Sequence, residues 1–378
     1  MTGPHAGVAF QGVVPKVGLF AGLLALVFGA LPAPAVAVDQ TSTTAAYTVT
    51  IEPVVTSLPD GSVQTTYALP DGDVMKTTTP PPGFDPLTAS NAQLTEVGFP
   101  LPPSDASAYQ EWAAAMAAFK SDDPPAGPLQ VVVDSAPVGV SMRYSSCPSY
   151  CTWGGYTAGT WNTQSHTYVA VKGVLYVPSN TGTCALSNNV GIWIGLGGTG
   201  GSYPNDNLVQ QGIECGNTNI GTGPAYRPFT EFANSQNPYA FCGYSSWTLP
   251  AGHKIYQNMS FQTSSNTAYF YLQDETSGVI HSCSRTPYSG WHWDLNTAEW
   301  VAEAPLNTAV NFGSVSFSDA ETELYSNGSW VTLGSQPVTK VIDGAGFVGG
   351  HLYQCIVPGS ISSGTAFTDS WVSSQCSP

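Results

Sequence analysis

Lysine and arginine are scarce in this 378-residue chain: 9 of them stand against 25 Asp and Glu, for a formal net charge of −16. A surface so poor in cations has no electrostatic footprint for nucleic acid or an anionic membrane, and neither is expected as a partner. Charged residues of both signs make up only 9 % of the chain. Little stability then hangs on ionised carboxylates, so the composition suits an acidic medium. Cysteine is absent before Cys147. Common hydrolase signatures are missing as well. There is no Gly-x-Ser-x-Gly elbow, which speaks against an α/β-hydrolase. There is no Asp-Thr-Gly or Asp-Ser-Gly loop for a carboxylate dyad, and no His-Glu-x-x-His for zinc. His166, His253, His281, His292 and His351 show no spacing with a catalytic meaning, so core or surface roles are expected.

What is present begins with an export signal. Lys16 precedes the apolar run Val17 to Leu31, and Ala35-Val36-Ala37 supplies a small-x-small cleavage site. A single membrane anchor is the alternative, but the run is short for a span and lacks a basic flank on its far side. The eight cysteines, Cys147, Cys151, Cys184, Cys215, Cys242, Cys283, Cys355 and Cys376, read as a disulfide framework in an exported chain. Their pairing is not deducible from spacing. The expected protein is secreted, extracellular and monomeric, and off the membrane once the signal is removed.

Three regions follow: 1–37 as signal peptide, 38–141 as a proline-rich accessory segment or propeptide, and 142–378 as a β domain. The accessory segment carries Pro80-Pro81-Pro82, Pro102-Pro103 and Pro124-Pro125. It shows one helical signal, Ala108 through Phe119, with Ser104 and Ser107 as candidate caps. A short helix between proline-rich linkers buries no full core. From residue 142 onward, short runs rich in β-branched and aromatic residues alternate with Gly, Asn, Ser and Pro clusters. Examples are Tyr168-Val169-Ala170-Val171, Gly191-Ile192-Trp193-Ile194 and Ala268 through Leu272. The texture predicts an all-β antiparallel sandwich or jelly roll. Gly195-Leu196-Gly197-Gly198-Thr199-Gly200 fits Gly-x-Gly-x-x-Gly, but with no helix after it the expectation is a glycine-rich turn.

Four stretches in order resemble the glutamic peptidases, the eqolisin family of acid-acting secreted endopeptidases. They are Trp153-Gly154-Gly155-Tyr156 with Val171 through Pro178; Trp193-Ile194-Gly195-Leu196-Gly197-Gly198 with Leu208-Val209-Gln210-Gln211-Gly212; Ala298-Glu299-Trp300-Val301-Ala302-Glu303; and Phe312 through Phe317. The resemblance implies a concanavalin A-like sandwich that hydrolyses protein or peptide substrates without a cofactor. It implies Gln210 and Glu303 as the catalytic pair, with Gln211 a one-residue rival, and Trp193, Glu214 and Glu231 lining the cleft.

The chemistry of such a pair stands by itself. Amide hydrolysis needs a base for water, a donor for the oxyanion and an acid for the leaving amine. A carboxylate serves as base in acid, where histidine is already protonated. A Gln amide offers a donor and an acceptor without a titrating charge. Strand alternation gives Glu299, Val301 and Glu303 one face. With Glu303 beside Gln210, Glu299 is expected roughly 13 Å further along the strand.

Several positions depart from the family pattern. Gly197 stands where Asp is usual, Glu214 replaces Asp, and the aromatic Trp-Tyr-Glu-Trp segment is reduced to Phe229-Thr230-Glu231-Phe232. The accessory segment is acidic where family propeptides tend to be basic. Two other readings remain open: a carbohydrate-active or carbohydrate-binding sandwich, and an inactive secreted relative. A glycanase needs paired carboxylates, and here one partner is a Gln.

Overall fold

A computed structural model describes residues 47–102, 106–119, 127–133, 150–161, 167–180, 182–185, 188–199, 207–216, 220, 225–233, 239–288, 291, 293, 295–304, 308–344, 346–348, 350–374 and 376. The expected signal peptide lies outside the described residues, as do Ser104, Cys147, His166 and His292.

The N-terminal part contributes strands β1 (Val54–Ser57), β2 (Val63–Ala68) and β3 (Val74–Thr79), then helices α1 (Asn91–Glu96) and α2 (Ala106–Ala117). The strands that position the site follow as β4 (Trp153–Gly159), β5 (Tyr168–Tyr176), β6 (Val190–Gly197), β7 (Leu208–Cys215) and β8 (Arg227–Ala233). Next come β9 (Lys254–Gln262), β10 (Thr267–Asp274), β11 (Val279–Thr286), β12 (Thr297–Glu303), β13 (Ser314–Leu324) and β14 (Val338–Asp343).

Two antiparallel sheets form. The front sheet runs β14-β4-β12-β6-β7-β8. The back sheet runs β13-β5-β9-β10-β11 and continues into β3, β2 and β1. The fold is an all-β sandwich. Its strands are apolar and β-branched on the face turned to the partner sheet. Ile192, Ile194 and Leu196 of β6, Val209 and Ile213 of β7, and Ala298, Trp300 and Ala302 of β12 all enter the main core. Trp300 crosses the gap, donating from Nε1 to the Lys172 carbonyl of β5 at 2.8 Å. Three described disulfides, Cys184–Cys215, Cys242–Cys283 and Cys355–Cys376, tie strand ends and turns together.

The accessory segment is richer in structure than its sequence announces. One helix is expected there, but the segment has two helices and a three-stranded meander. Thr and Pro mask the period-2 alternation that builds these strands: Thr65, Tyr67, Met75 and Thr77 are buried. Strand β3 pairs with β11 through Ser284, Arg285 and Thr286. The helices add Leu94, Val97, Phe99, Trp112 and Met116 to a cluster shared with Tyr271 and Ile280 of the back sheet. Helix α1 opens on a capping box, in which Ser90 Oγ accepts from the Gln93 amide at 3.3 Å and Gln93 Oε1 accepts from the Ser90 amide at 2.9 Å. Ser107 lies inside α2 and not at its cap.

One ion pair anchors the segment. Asp73 Oδ2 and the Arg285 guanidinium meet at 2.7 Å, and both side chains are fully buried. Arg285 also donates to the Thr230 carbonyl at 3.0 Å and lies over the Phe232 ring. Removing one member of such a buried pair costs about 3–5 kcal/mol, because the other charge is left uncompensated.

Candidate active site

The outer face of the front sheet, turned away from the back sheet, is built from the alternate residues of each strand. On β6 these are Gly191, Trp193, Gly195 and Gly197, so three of the four outward positions carry no side chain. That strand forms the floor of a groove whose walls come from β12 on one side and β7 on the other. Cross-strand register then sorts the outward residues into rungs.

In the rung that contains Gln210, Thr157 pairs with Glu299, Glu299 with Gly195, Gly195 with Gln210, and Gln210 with Glu231. Residues directly opposite each other on antiparallel strands share a face. Gln210 and Glu299 therefore face each other across a glycine, with Cα atoms about 10 Å apart. A Cβ built on Gly195 would lie 3.3 Å from Glu299 Oε2 and 2.8 Å from both Leu208 Cδ1 and Trp193 Cζ3. Because residue 195 has no side chain, Leu208, Trp193 and Glu299 close in over that position between the two polar groups.

Gln210 Nε2 donates to Glu231 Oε2 at 2.6 Å. Its Oε1 is buried and has no hydrogen-bond partner among the described residues. Burial pushes the Glu231 carboxyl up to about 7, against the opposing effects of the Gln210 amide and the Arg285 charge. Glu299 is fully buried.

The next rung holds Val301, Trp193, Gly212 and Phe229. With Trp153, Leu208, Ile220, Ala233 and Val341 they form an apolar cluster apart from the main core. Trp153 and Trp193 meet edge to face with centroids 5.0 Å apart. The wall beside the slot is thus aromatic.

Beyond it lies the rung of Glu303. Here Trp153 pairs with Glu303, Glu303 with Gly191, Gly191 with Glu214, and Glu214 with Arg227. Trp193 Nε1 donates to Glu303 Oε2 at 3.0 Å, and Thr152 Oγ1 to Glu303 Oε1 at 3.3 Å. Asp343 lies close by, accepting from the Ala304 amide at 3.0 Å. Its carboxyl is raised well above the usual range, first by burial and then by the Glu303 charge. Glu214 takes a 3.4 Å contact from Asn189 Nδ2.

These rungs place the two glutamates differently from the expected spacing. Glu303 is four residues along the sheet from the level of Gln210 and two strands away, a Cα separation of about 16 Å. Glu299, expected to be the distant carboxylate, is the one level with Gln210. The β7–β12 offset, which no single-strand pattern reveals, sets this. Gln210 and Gln211 face opposite ways: Gln211 points between the sheets and donates to the Tyr271 carbonyl at 3.0 Å. Gly195 sits within a strand and not in a turn, whereas Gly197 and Gly198 take the positive φ of a turn. Trp193, Glu214 and Glu231 all lie on the outer face, Glu231 on the rung of Gln210 and Glu214 on that of Glu303.

The family model of Peptidase A4 matches residues 152–356, more than half of the chain. The chain belongs to this family, the glutamic peptidases. It is accordingly a hydrolase of peptide bonds. Among solved structures, a Scytalido-glutamic peptidase with a peptide-based transition state analog is similar at 20 % identity and a TM-score of 0.42. The match covers 60 % of this chain and 100 % of that one. SCP-B, an Eqolisin family member in complex with the tripeptide Ala-Ile-His, is similar at 20 % identity and a TM-score of 0.41, with the same coverage. No curated protein sequence matches the chain. Within this glutamic peptidase, no helix among the described residues is long and apolar enough to cross a membrane.

Proposed function

We propose that this peptidase is secreted, cuts internal peptide bonds in acid, and uses Gln210 and Glu299 as its catalytic pair. The observation that carries the assignment is the rung itself: Glu299, Gly195 and Gln210 stand at one level on one face, so the carboxylate and the amide face each other with no side chain of residue 195 between them. Glu303 stands two rungs away, its carboxylate engaged by Trp193 and Thr152.

The steps follow from the groups present. Ionised Glu299 takes a proton from water as the oxygen attacks the scissile carbonyl carbon. Gln210 Oε1, buried and open to a donor, orients that water. The Nε2 hydrogen not held by Glu231 stabilises the oxyanion. Protonated Glu299 then passes its proton to the nitrogen, the C–N bond breaks, and an acid and an amine leave. Trp193 and Phe229 on the adjacent rung suit an apolar substrate side chain. Export is supported by the leader sequence and by the buried disulfides.

The test is digestion of denatured protein between pH 2 and 5 with pepstatin present, comparing Gln210→Ala, Glu299→Gln and Glu303→Gln. Activity lost in the first two and largely kept in the third is expected. Loss in Glu303→Gln with Glu299→Gln intact overturns the pairing.

A further inference from the structure

The geometry points to a third polar member of this rung: Glu231 is a positioning residue that fixes which way the Gln210 amide faces. The inference rests on the proposed role of Gln210 and deepens it.

A primary amide has two ends of nearly equal shape and opposite hydrogen-bonding character, and it turns over readily unless a neighbour distinguishes them. Gln210 must present a hydrogen to the oxyanion and its carbonyl oxygen to the water, so a turned amide offers the wrong group to each. The carboxylate of Glu231 is an acceptor only when ionised. It sits directly opposite Gln210 on β8 and takes Nε2 at 2.6 Å. The Oε1 end would place two acceptors in contact, so one orientation is excluded.

The result is what catalysis needs. One Nε2 hydrogen is spent on Glu231, the second remains for the oxyanion, and buried Oε1 is left without a partner among the described residues. When Glu231 is protonated, its carbonyl oxygen still accepts from Nε2 but its hydroxyl can also donate to Oε1, so the orientation is fully enforced only while the carboxyl is ionised. The side chain of Glu231 is itself steadied from below. Arg285 is clamped between Asp73 and the Thr230 carbonyl and lends Glu231 a neighbouring positive charge.

Glu231 does not line up as a second base. It stands on the far side of Gln210 from the Gly195 slot, with the amide between it and the position of a substrate. Its effect on the reaction passes through Gln210.

The test compares steady-state kinetics of the purified full chain, brought to its working acidic pH, with Glu231→Met, Glu231→Gln and Gln210→Ala. Methionine keeps the length but cannot accept the amide hydrogen. A Gln at 231 offers an oxygen in the same place. For Glu231→Met, kcat is expected to fall about 100-fold with KM within about twofold, the signature of misplaced catalytic machinery. Glu231→Gln should recover activity to within about tenfold of the wild type. As a second readout, the Gln210 side-chain amide resonances should move as Glu231 titrates in the wild type and stay fixed in Glu231→Gln. The groups facing that amide are Glu231, Glu299 across Gly195, and Arg285 beneath, so the Glu231→Gln control isolates the first.

A Glu231→Met enzyme with wild-type kcat, or one impaired only in KM, overturns the positioning role. So does a Glu231→Gln enzyme as poor as Glu231→Met. If Glu231→Met does not fold, resonances that ignore Glu231 in the wild type overturn it equally. Full activity in Gln210→Ala would instead remove the underlying site assignment, and the two failures are thereby told apart.

Discussion

The rung of Glu299 and the rung of Glu303 are built to one plan with opposite contents. Each places a β12 carboxylate across a β6 glycine from a polar β7 residue. On the first rung that residue is Gln210, whose buried amide oxygen has no hydrogen-bond partner among the described residues. On the second it is Glu214, so two carboxylates face each other, and Glu303 is already engaged by Trp193 and Thr152. An acid facing an amide can divide labour between proton transfer and oxyanion stabilisation. Two acids with a third, Asp343, nearby repel one another unless protons are held. The difference teaches that two carboxylates of one motif can stand in unlike surroundings, set by their level on the sheet and by the residue each faces.

The sharpest way to break the comparison is at the two glycines. A methyl at Gly195 would enter the slot and press within 2.8 Å of Leu208 and Trp193 and 3.3 Å of Glu299. A methyl at Gly191 would meet only Trp193 Cδ1, at 3.6 Å, which is ordinary contact. We expect Gly195→Ala to lower kcat/KM by about 100-fold or more through displaced reacting groups, and Gly191→Ala to change it by less than about threefold. Equal effects on kinetics would mean that the rungs are functionally alike.

A smaller effect separates the rungs by pH. Glu231 on one rung and Asp343 beside the other are both acids held protonated by burial above their ordinary values. In the unfolded chain each ionises near its ordinary carboxyl value. Between that pH and the folded value the native state binds more protons, so stability falls as pH rises. For Glu231 the window runs from 4.5 to about 7. Allowing for its partial exposure, about 1–2 kcal/mol should be lost across it. Thermal unfolding followed from pH 4 to pH 7 should show this decline, flattened in part by Glu231→Gln and in part by Asp343→Asn. An unfolding temperature that rises toward neutral pH, or is indifferent to both changes, would contradict it.

Much of this arrangement was legible in the sequence. The β texture, the turn chemistry and the order of four motifs carry the sandwich and the family. They also select β7 and β12 as the strands that carry the candidate residues, with outward faces fixed by alternation. What alternation leaves open is how far one strand is slid past another. Gln210 and the two glutamates share a face under either offset, and only the pairing of Gly195 with both Gln210 and Glu299 chooses between them. The glycine was the available signal: a residue without a side chain, lying in an apolar strand between two polar ones, marks a place where neighbouring groups approach the backbone closely. The N-terminal strands were hidden for a different reason. Their buried positions are filled by Thr65 and Thr77 as well as Tyr67 and Met75, and a threonine-rich stretch interrupted by prolines reads as linker until its neighbours supply the other half of the sheet.

The least of the expected effects concerns Gly197, where the family pattern has an aspartate. It lies one rung beyond Glu299, opposite Leu208, and a carboxylate there would be a third acid near the slot. Its backbone adopts φ of +86°, followed by +84° at Gly198, as β6 turns away from the sheet. A side chain at such an angle costs about 1–2 kcal/mol. Gly197→Asp should therefore lose about that much stability in a denaturant titration. If Glu299 and Gln210 supply the base and the donor as proposed, kcat should move by less than about threefold. A larger gain in kcat would mean that the rung of Glu299 is incomplete without a third carboxylate, and that its likeness to the three-acid cluster around Glu303 runs deeper than the glycine slot implies.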